Sequence, residues 1–335
     1  MRAEDFDNIN VYEALLKCEV QMSRHHDIIV SVSGGSDSDI MMDMVERTKK
    51  PYNNIRYVWF NTGMEYDATK RHLDYLEHRY NVTIERVKGM PIPLCVKKFG
   101  QPFLSKNVSE MLGRMQNYGF RWEWFDTVEE MRKVYPNMPI GILRFWTNSY
   151  GGDGRSMFNI NWHPDLKEFM VENPPQFQIS AKCCMYSKKK PAHEYRMNCG
   201  SDLECVGVRK AEGGVRAATY KNCFTPGDDI DRFRPMFWLS DGDKQDYEQQ
   251  FNIIHSDCYT KWGFRRTGCV GCPFNPKVLS EIDIIEQYEP KMAKACKNIF
   301  GDSYEYVKQY RDYHAAKKRA KKQQSPIQII GKREI

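Results

Sequence analysis

Apolar and polar positions fall into alternating blocks over roughly the first 90 residues. Ile28-Ile29-Val30-Ser31-Val32-Ser33 is a short β-branched run that predicts a strand, followed by Gly34-Gly35 and a helical pattern from Asp37 to about Arg47. A second strand is expected from Ile55 to Phe60. It runs into Asn61-Thr62-Gly63-Met64-Glu65, after which Asp67 is placed to cap a helix reaching about Tyr80. A third strand fits Val82 to Val87. Strands alternating with helices predict an α/β fold with a doubly wound parallel sheet, Rossmann-like, binding ligands at the carboxyl ends of its strands. The glycine turn lies at one such end.

Beyond Pro91 the periodicity is lost. Trp122, Trp124, Trp146 and Trp162 stand among prolines and glycines, and this stretch reads as a helical insertion. Strand character resumes at Glu204 to Val208 and near Met236-Phe237-Trp238, with a helix from about Lys244 to Ile254. Tyr304 to Gln324 is again helical and carries Lys317, Lys318, Arg319, Lys321 and Lys322, a basic C-terminal helix end whose plain reading is a solvated face. The expected organisation is a nucleotide-binding core over 1–90, an aromatic-rich insertion over 91–175, the rest of the core with its cysteines over 176–295, and a helical basic tail over 296–335.

A strand that ends in Ser-Gly-Gly and opens a helix presents backbone N–H groups without carbonyl partners, assisted by the helix dipole, and anions bind there. Glycines at 34 and 35 allow close backbone approach, and the hydroxyls of Ser33, Ser36 and Ser38 add donors. Asp37 is expected to orient a magnesium ion, whose hardness suits carboxylate oxygens. A bare Gly-Gly more often marks a plain turn, but the six-residue string is more specific. The Walker pattern is absent.

Ser33 to Ser38 matches Ser-Gly-Gly-x-Asp-Ser, and on these residues the chain resembles the PP-loop ATP pyrophosphatases, within the phosphoadenylylsulfate (PAPS) reductase superfamily. The resemblance implies cleavage of ATP between its α- and β-phosphates, with Ser33, Asp37 and Ser38 as catalytic residues. Asn61-Thr62-Gly63-Met64-Glu65 resembles the Asp-Thr-Gly segment of the same nucleotide pocket, with Asn61 in place of the common aspartate. Gly207-Val208-Arg209-Lys210-Ala211-Glu212 and Arg216 resemble the superfamily's Gly-Val-Arg-x-x-Glu-x-x-x-Arg segment, where arginine forks suit phosphate or sulfate oxygens. The bland alternative for Arg209 and Arg216 is a surface pair near a turn. The implied nucleotide-binding set is Ser31, Ser33, Gly34, Gly35, Ser36, Asp37, Ser38, Asn61, Thr62, Gly63, Glu65, Arg209, Glu212 and Arg216.

Eleven cysteines in a chain expected to be cytoplasmic point to metal or cluster ligation rather than a disulfide framework. Cys183-Cys184 is followed by Lys188-Lys189-Lys190, and much later comes Cys269-Val270-Gly271-Cys272 preceded by Arg265 and Arg266, cations that favour thiolates. This spacing resembles the iron-sulfur form of the sulfonucleotide reductases and implies a 4Fe-4S cluster on Cys183, Cys184, Cys269 and Cys272, with Cys223 able to replace one of the pair. A structural Zn2+ on four thiolates is the alternative. The remaining cysteines read as small buried residues.

Net charge is +6 and the pI about 8.6, a mild excess compatible with polyanionic partners. No apolar run reaches the roughly 18 residues of a membrane span, and the start lacks the apolar stretch of a secretion signal. No cysteine follows Cys296, which argues against sulfonucleotide reduction by a late nucleophilic cysteine. The favoured expectation is therefore ATP cleavage to AMP and pyrophosphate, activating an acceptor for sulfur transfer, as in DNA phosphorothioation or tRNA thiolation. A nucleic-acid acceptor (DNA or tRNA) and a sulfur-donor protein such as a cysteine desulfurase are the implied partners. The alternatives are a PAPS or adenylylsulfate reductase, or a non-catalytic nucleotide-binding component of a defence or modification complex.

Overall fold

The structure, a computed structural model, describes residues 2–152, 155–213 and 219–324. The chain divides into two compact units, the first formed by Met1–Leu94 and Cys184–Val270, the second by Cys95–Cys183 and Gly271–Ile335.

In the first unit β1 (Asp27–Ser31), β2 (Asn54–Asn61), β3 (Ile84–Lys88), β4 (Leu203–Val206), β5 (Phe224–Thr225) and β6 (Asp231–Phe233) form one sheet in the order β3-β2-β1-β4-β6-β5. All pairings are parallel except β5 with β6; Ile28 of β1 lies opposite Ile55 on one side and Leu203 on the other. The first-unit helices are α1 (Ile9–Arg24), α2 (Ser36–Thr48), α3 (Asp67–Tyr80), α4 (Lys190–Asn198), α5 (Asp241–Gln250) and α6 (Asp257–Thr260).

The sheet is wound on both faces. Ile28, Val30, Tyr57 and Trp59 pack with Leu15, Met22, Ile40, Met44 and Leu73 of α1, α2 and α3, while Ile29, Val58 and Phe60 meet Ala192 and Tyr195 of α4. This explains why β1 reads as a continuous apolar run: a central parallel strand has no solvent face. Each fully buried Ile or Val here contributes about 2 kcal/mol.

The strand expected at Met236-Phe237-Trp238 is a turn. Pro235 fixes φ and removes a ladder donor, and the chain closes through Phe237 N to Arg234 O (3.1 Å) and Leu239 N to Met236 O (3.1 Å), burying Met236 and Phe237 in a turn whose Phe237 O accepts from Lys210 N (2.9 Å). α5 begins at Asp241 rather than Lys244, because Ser240 and Asp243 form a capping box, and it ends at Gln250, before Asn252 turns left-handed at φ +49°.

The second unit is helical over most of its length, with Lys106–Asn117, Val128–Val134, Ile140–Trp146, Leu166–Glu172, Val278–Tyr288 and Pro290–Gln324 as its main helices. Its core joins Phe103, Leu112, Phe145, Trp146, Phe169 and Tyr306. Of the insertion's tryptophans, Trp146 is fully buried and donates to Glu123 O (3.0 Å), Trp122 is buried, and Trp124 and Trp162 are exposed. The last helix starts at Pro290, earlier than the expected Tyr304. Its Tyr306, Val307 and Tyr310 enter the second core, and Lys317 pairs with Glu168, so part of the basic tail is anchored. Among the described residues no helix is long and apolar enough to cross a membrane.

Candidate functional site

β1 delivers the chain to Ser31, and the turn through Ser33, Gly34 and Gly35 opens α2 at Ser36. Gly34 has φ +67°, and a Cβ there would stand 2.7 Å from Thr69 Cγ2, so both backbone and space require glycine. Ser38 Oγ donates to Gly35 O (2.8 Å) and accepts from Ser33 N (3.2 Å), while Ser33 Oγ accepts from Gly35 N (3.3 Å). Two of the serines thus hold the loop's shape. The amides of Ser36 and Asp37 open α2, where no carbonyl of the helix can accept from them. Tyr259 covers this end: its hydroxyl would lie 3.2 Å from a Cβ on Gly35, and it bonds Thr267 Oγ1 at 2.8 Å.

Cations converge on the same point. Lys244 of α5 donates to Ser36 Oγ (2.6 Å) and Asp37 Oδ1 (2.8 Å). Arg209, buried, places Nε 3.2 Å from Asp37 Oδ1 and Nη1 2.8 Å from Asp241 Oδ1. Burial works against the Arg209 charge, but Asp37 and Asp241 more than offset it, and the guanidinium sits above its ordinary value. Gly207 lets this segment close on the loop, since a Cβ there would meet Asp37 O at 3.1 Å and Ser38 Cα at 3.2 Å. Glu212 accepts from Arg209 N (3.1 Å) and so shapes the arginine segment; Arg216 lies outside the described residues. Asp37, expected beside magnesium, has Oδ1 engaged by two cations.

The turn after β2 is built from its own side chains. Asn61 Oδ1 accepts from Gly63 N (2.8 Å), and Thr62 donates from N (2.8 Å) and Oγ1 (2.5 Å) to Glu65 Oε1. Glu65 is buried, and its Oε2 has no partner among the described residues. Gly63 supplies the left-handed position at φ +80°.

The same turn touches a cysteine. Thr62 Oγ1 lies 3.6 Å from Cys269 Sγ. Burial pushes the Cys269 thiol up, Lys188 and Thr62 draw it down, and Glu65 and the Cys184 thiol add to the rise, which places Cys184 within electrostatic reach. Lys188 sits on a π-helical turn, Met185–Lys189, packed so tightly on the chain after β3 that a Cβ on Gly89 would come 2.6 Å from Ser187 O. The structure thus brings Cys184 and Cys269 together. Cys183 and Cys272 belong to the second unit, whose boundary passes between the members of each pair. Cys223 adjoins β5, with β6, β4 and β1 between it and β2, and packs beside Phe233 in a cavity of about 320 Å³ lined by Leu16 and Val20 of α1. Among the described residues no three His, Cys, Asp or Glu side chains are gathered as a metal ion requires.

Residues 27–93, which carry the loop, α2, the β2 turn and β3, match the family model described as the phosphoadenosine phosphosulfate reductase domain. The match ends before the Gly207 segment and the cysteine pairs. No curated protein sequence matches the chain. Similar solved structures include the phosphoadenylyl-sulfate reductase from Candida auris in a phosphate complex (12% identity, 77% of this chain and 87% of that one, TM-score 0.40). They also include the U34-tRNA thiolase from Methanococcus maripaludis with its 4Fe-4S cluster (12%, 91% and 78%, 0.39). A third is the NH3-dependent NAD synthetase from Campylobacter jejuni (10%, 89% and 94%, 0.35).

Around this loop, sequence reasoning missed Lys244, His255, Tyr259 and Thr267, all distant in the chain from Ser33 to Ser38. Only Lys244 had a local signal, the Ser240 to Asp243 capping box that fixes where α5 starts and so which residue its first turn presents.

Proposed function

We propose that the first unit binds ATP through the Ser33 to Ser38 loop and cleaves it to AMP and pyrophosphate, activating an acceptor for sulfur transfer. The observation that carries this reading is the convergence of Lys244 and Arg209 on Ser36 and Asp37, at the N-terminal opening of α2, where the helix dipole favours an anion. In the free protein Asp37 bridges both cations. An arriving phosphate chain takes that place, and the cations then face the charge that builds on the leaving pyrophosphate. The acceptor oxygen attacks the α-phosphorus, the bond to the bridging α,β-oxygen breaks, and pyrophosphate departs; sulfur later displaces AMP from the acceptor. Ser33 and Ser38 keep the loop in shape for this step, and Lys244 and Arg209 supply positive charge at the loop.

Cys184 and Cys269 suit a soft thiolate-bound centre: they lie within electrostatic reach of each other, and Lys188 favours the charged form of Cys269. They are the residues of the first unit that would hold a 4Fe-4S cluster; Cys223, at the far side of the sheet, is not included. Such a cluster would supply a site for holding or delivering sulfur. A nucleic acid is the acceptor this reading favours, with a cysteine desulfurase as the class of donor.

The test is incubation of the full chain with ATP labelled at the α-phosphate, with AMP and pyrophosphate followed by chromatography. Labelled AMP that disappears in Lys244→Ala is expected; intact ATP with every acceptor tried, DNA and tRNA included, overturns the reading. The family match favours one second reading, a sulfonucleotide as ligand, and sulfite release from PAPS with a thiol reductant would establish it.

A further inference from the structure

Lys244 has a competitor on its own helix. One turn along α5, Glu248 Oε1 lies 3.7 Å from Lys244 Nζ, a spacing at which lysine and glutamate ordinarily pair. Here that carboxylate is held elsewhere: His255 Nε2 stands 2.9 Å from the same oxygen. The other ring nitrogen, Nδ1, is 2.7 Å from Asp39 Oδ2, and Asp39, buried in α2, also takes His72 Nε2 of α3 at 2.9 Å. Two carboxylates facing two ring nitrogens require both nitrogens to donate, so His255 is an imidazolium. Burial alone would drive the proton off; the hydrogen bonds and charges of Asp39 and Glu248 outweigh it and raise His255 to about 9.

The groups facing this array are few. α2 contributes Asp39 to His255, and Ser36 and Asp37 to Lys244; α3 contributes His72 through Asp39; α6 contributes Tyr259, whose ring centroid is 5.8 Å from that of His255; and Arg209 shares Asp37 with Lys244.

We propose that doubly protonated His255 is a positioning residue for phosphate binding: by drawing Glu248 into its own shorter bond, it limits Glu248 to a loose ion pair with Lys244 and leaves that ammonium aimed at the Ser33 to Ser38 loop. The inference rests on the reading of that loop as a phosphate site. If the ring loses a proton, the shorter bond to buried Asp39 keeps the remaining hydrogen on Nδ1, and Nε2 turns a lone pair toward Glu248. Glu248 then closes on Lys244, and an incoming phosphate must displace two carboxylates instead of one.

Calorimetric titration with inorganic pyrophosphate and with ATP, on the full chain at pH 7.5 and 9.5, tests this. Wild type should bind at pH 7.5 and weaken at the higher pH by about tenfold, the worth of one charged hydrogen bond. His255→Gln should show that loss already at pH 7.5. His255→Gln/Glu248→Gln should recover to within about threefold of wild type, because the competitor is gone. Glu248→Gln alone, at a partly exposed position and independent of any folding defect in the His255 variants, should flatten the pH profile. A double variant as weak as His255→Gln, or an unchanged profile in Glu248→Gln, overturns the proposal. Wild type that binds without a pH step overturns the role of His255 alone, whereas wild type that binds neither probe overturns the phosphate site and this proposal with it.

Discussion

Gly34→Ala tests the loop at its tightest point. The substitution forces a residue with a side chain into φ +67°, at a cost of about 1 kcal/mol. Its Cβ would also come 2.7 Å from Thr69 Cγ2, where ordinary contact begins at 3.4 Å, and Thr69 is buried and has little room to retreat. Overpacking of this kind costs about 2 kcal/mol, so the total should be about 3 kcal/mol. Because the chain has two compact units, a global melt would blur the effect. Native-state hydrogen exchange resolved by peptide avoids this, reading β1 and α2 directly. Thr69→Ser removes the offending methyl. Gly34→Ala/Thr69→Ser should therefore regain at least about 1 kcal/mol relative to simple addition of the two single losses. Full additivity would refute the clash, and a Gly34→Ala loss below about 0.5 kcal/mol would refute the claim that the turn requires glycine.

Other outcomes follow from the same contacts. Gly207→Ala, which pushes a methyl against Asp37 O, should weaken ATP binding about tenfold while leaving β1 and α2 protected from exchange, a shift of about 1.4 kcal/mol confined to the ligand; equal losses in binding and protection would contradict it. Asp43, buried in α2, accepts from Arg47 Nε, Tyr80 Oη and Tyr247 Oη, and Asp43→Asn should cost about 2 kcal/mol in denaturant titrations, since it removes the charge from a buried acceptor of three hydrogen bonds. His255, raised to about 9, contributes stability that is fully present below its unfolded value near 6.5 and is lost as pH rises through about 9. Exchange protection of α2 should accordingly fall across that window, by an amount on the order of 2 kcal/mol, and a rise would reverse the assigned sign. Anaerobically purified Cys269→Ser should lose iron and visible absorption while Cys223→Ser retains both; loss in Cys223→Ser would return that residue to the ligand set.

Legibility in the sequence followed distance along the chain. The β1 run, the glycine turn and the helix from Asp67 to Tyr80 were readable because their causes are local: β-branched residues, a left-handed glycine and apolar spacing. Glu65 and Asn61 stood out in the sequence as part of a motif, but what they do in the fold, bracing the turn through Thr62 and Gly63, shows only in the bonds they make. Apolar character misled at Met236-Phe237, where burial is achieved in a turn after Pro235. Lys244 and His255 were illegible for a different reason. Each is an ordinary polar residue near a helix, and its role arises only when β4 pairs with β1 and carries the second half of the sheet to the loop.

That pairing also has a temporal side. β1, β2 and β3 are close in sequence, whereas β4 comes only after a long connection that leaves the first unit at Leu94 and returns at Cys184. Closing a longer loop costs little in equilibrium terms, about 0.6 kcal/mol per doubling, but non-local pairing is slow to find. On the ribosome the serines and Asp37 therefore emerge, and can adopt their turn, well before Arg209 and Lys244 have been synthesised. For that interval the Asp37 carboxylate stands without either of its cations, and the nascent loop meets Arg209 and Lys244 only when the late half of the sheet docks.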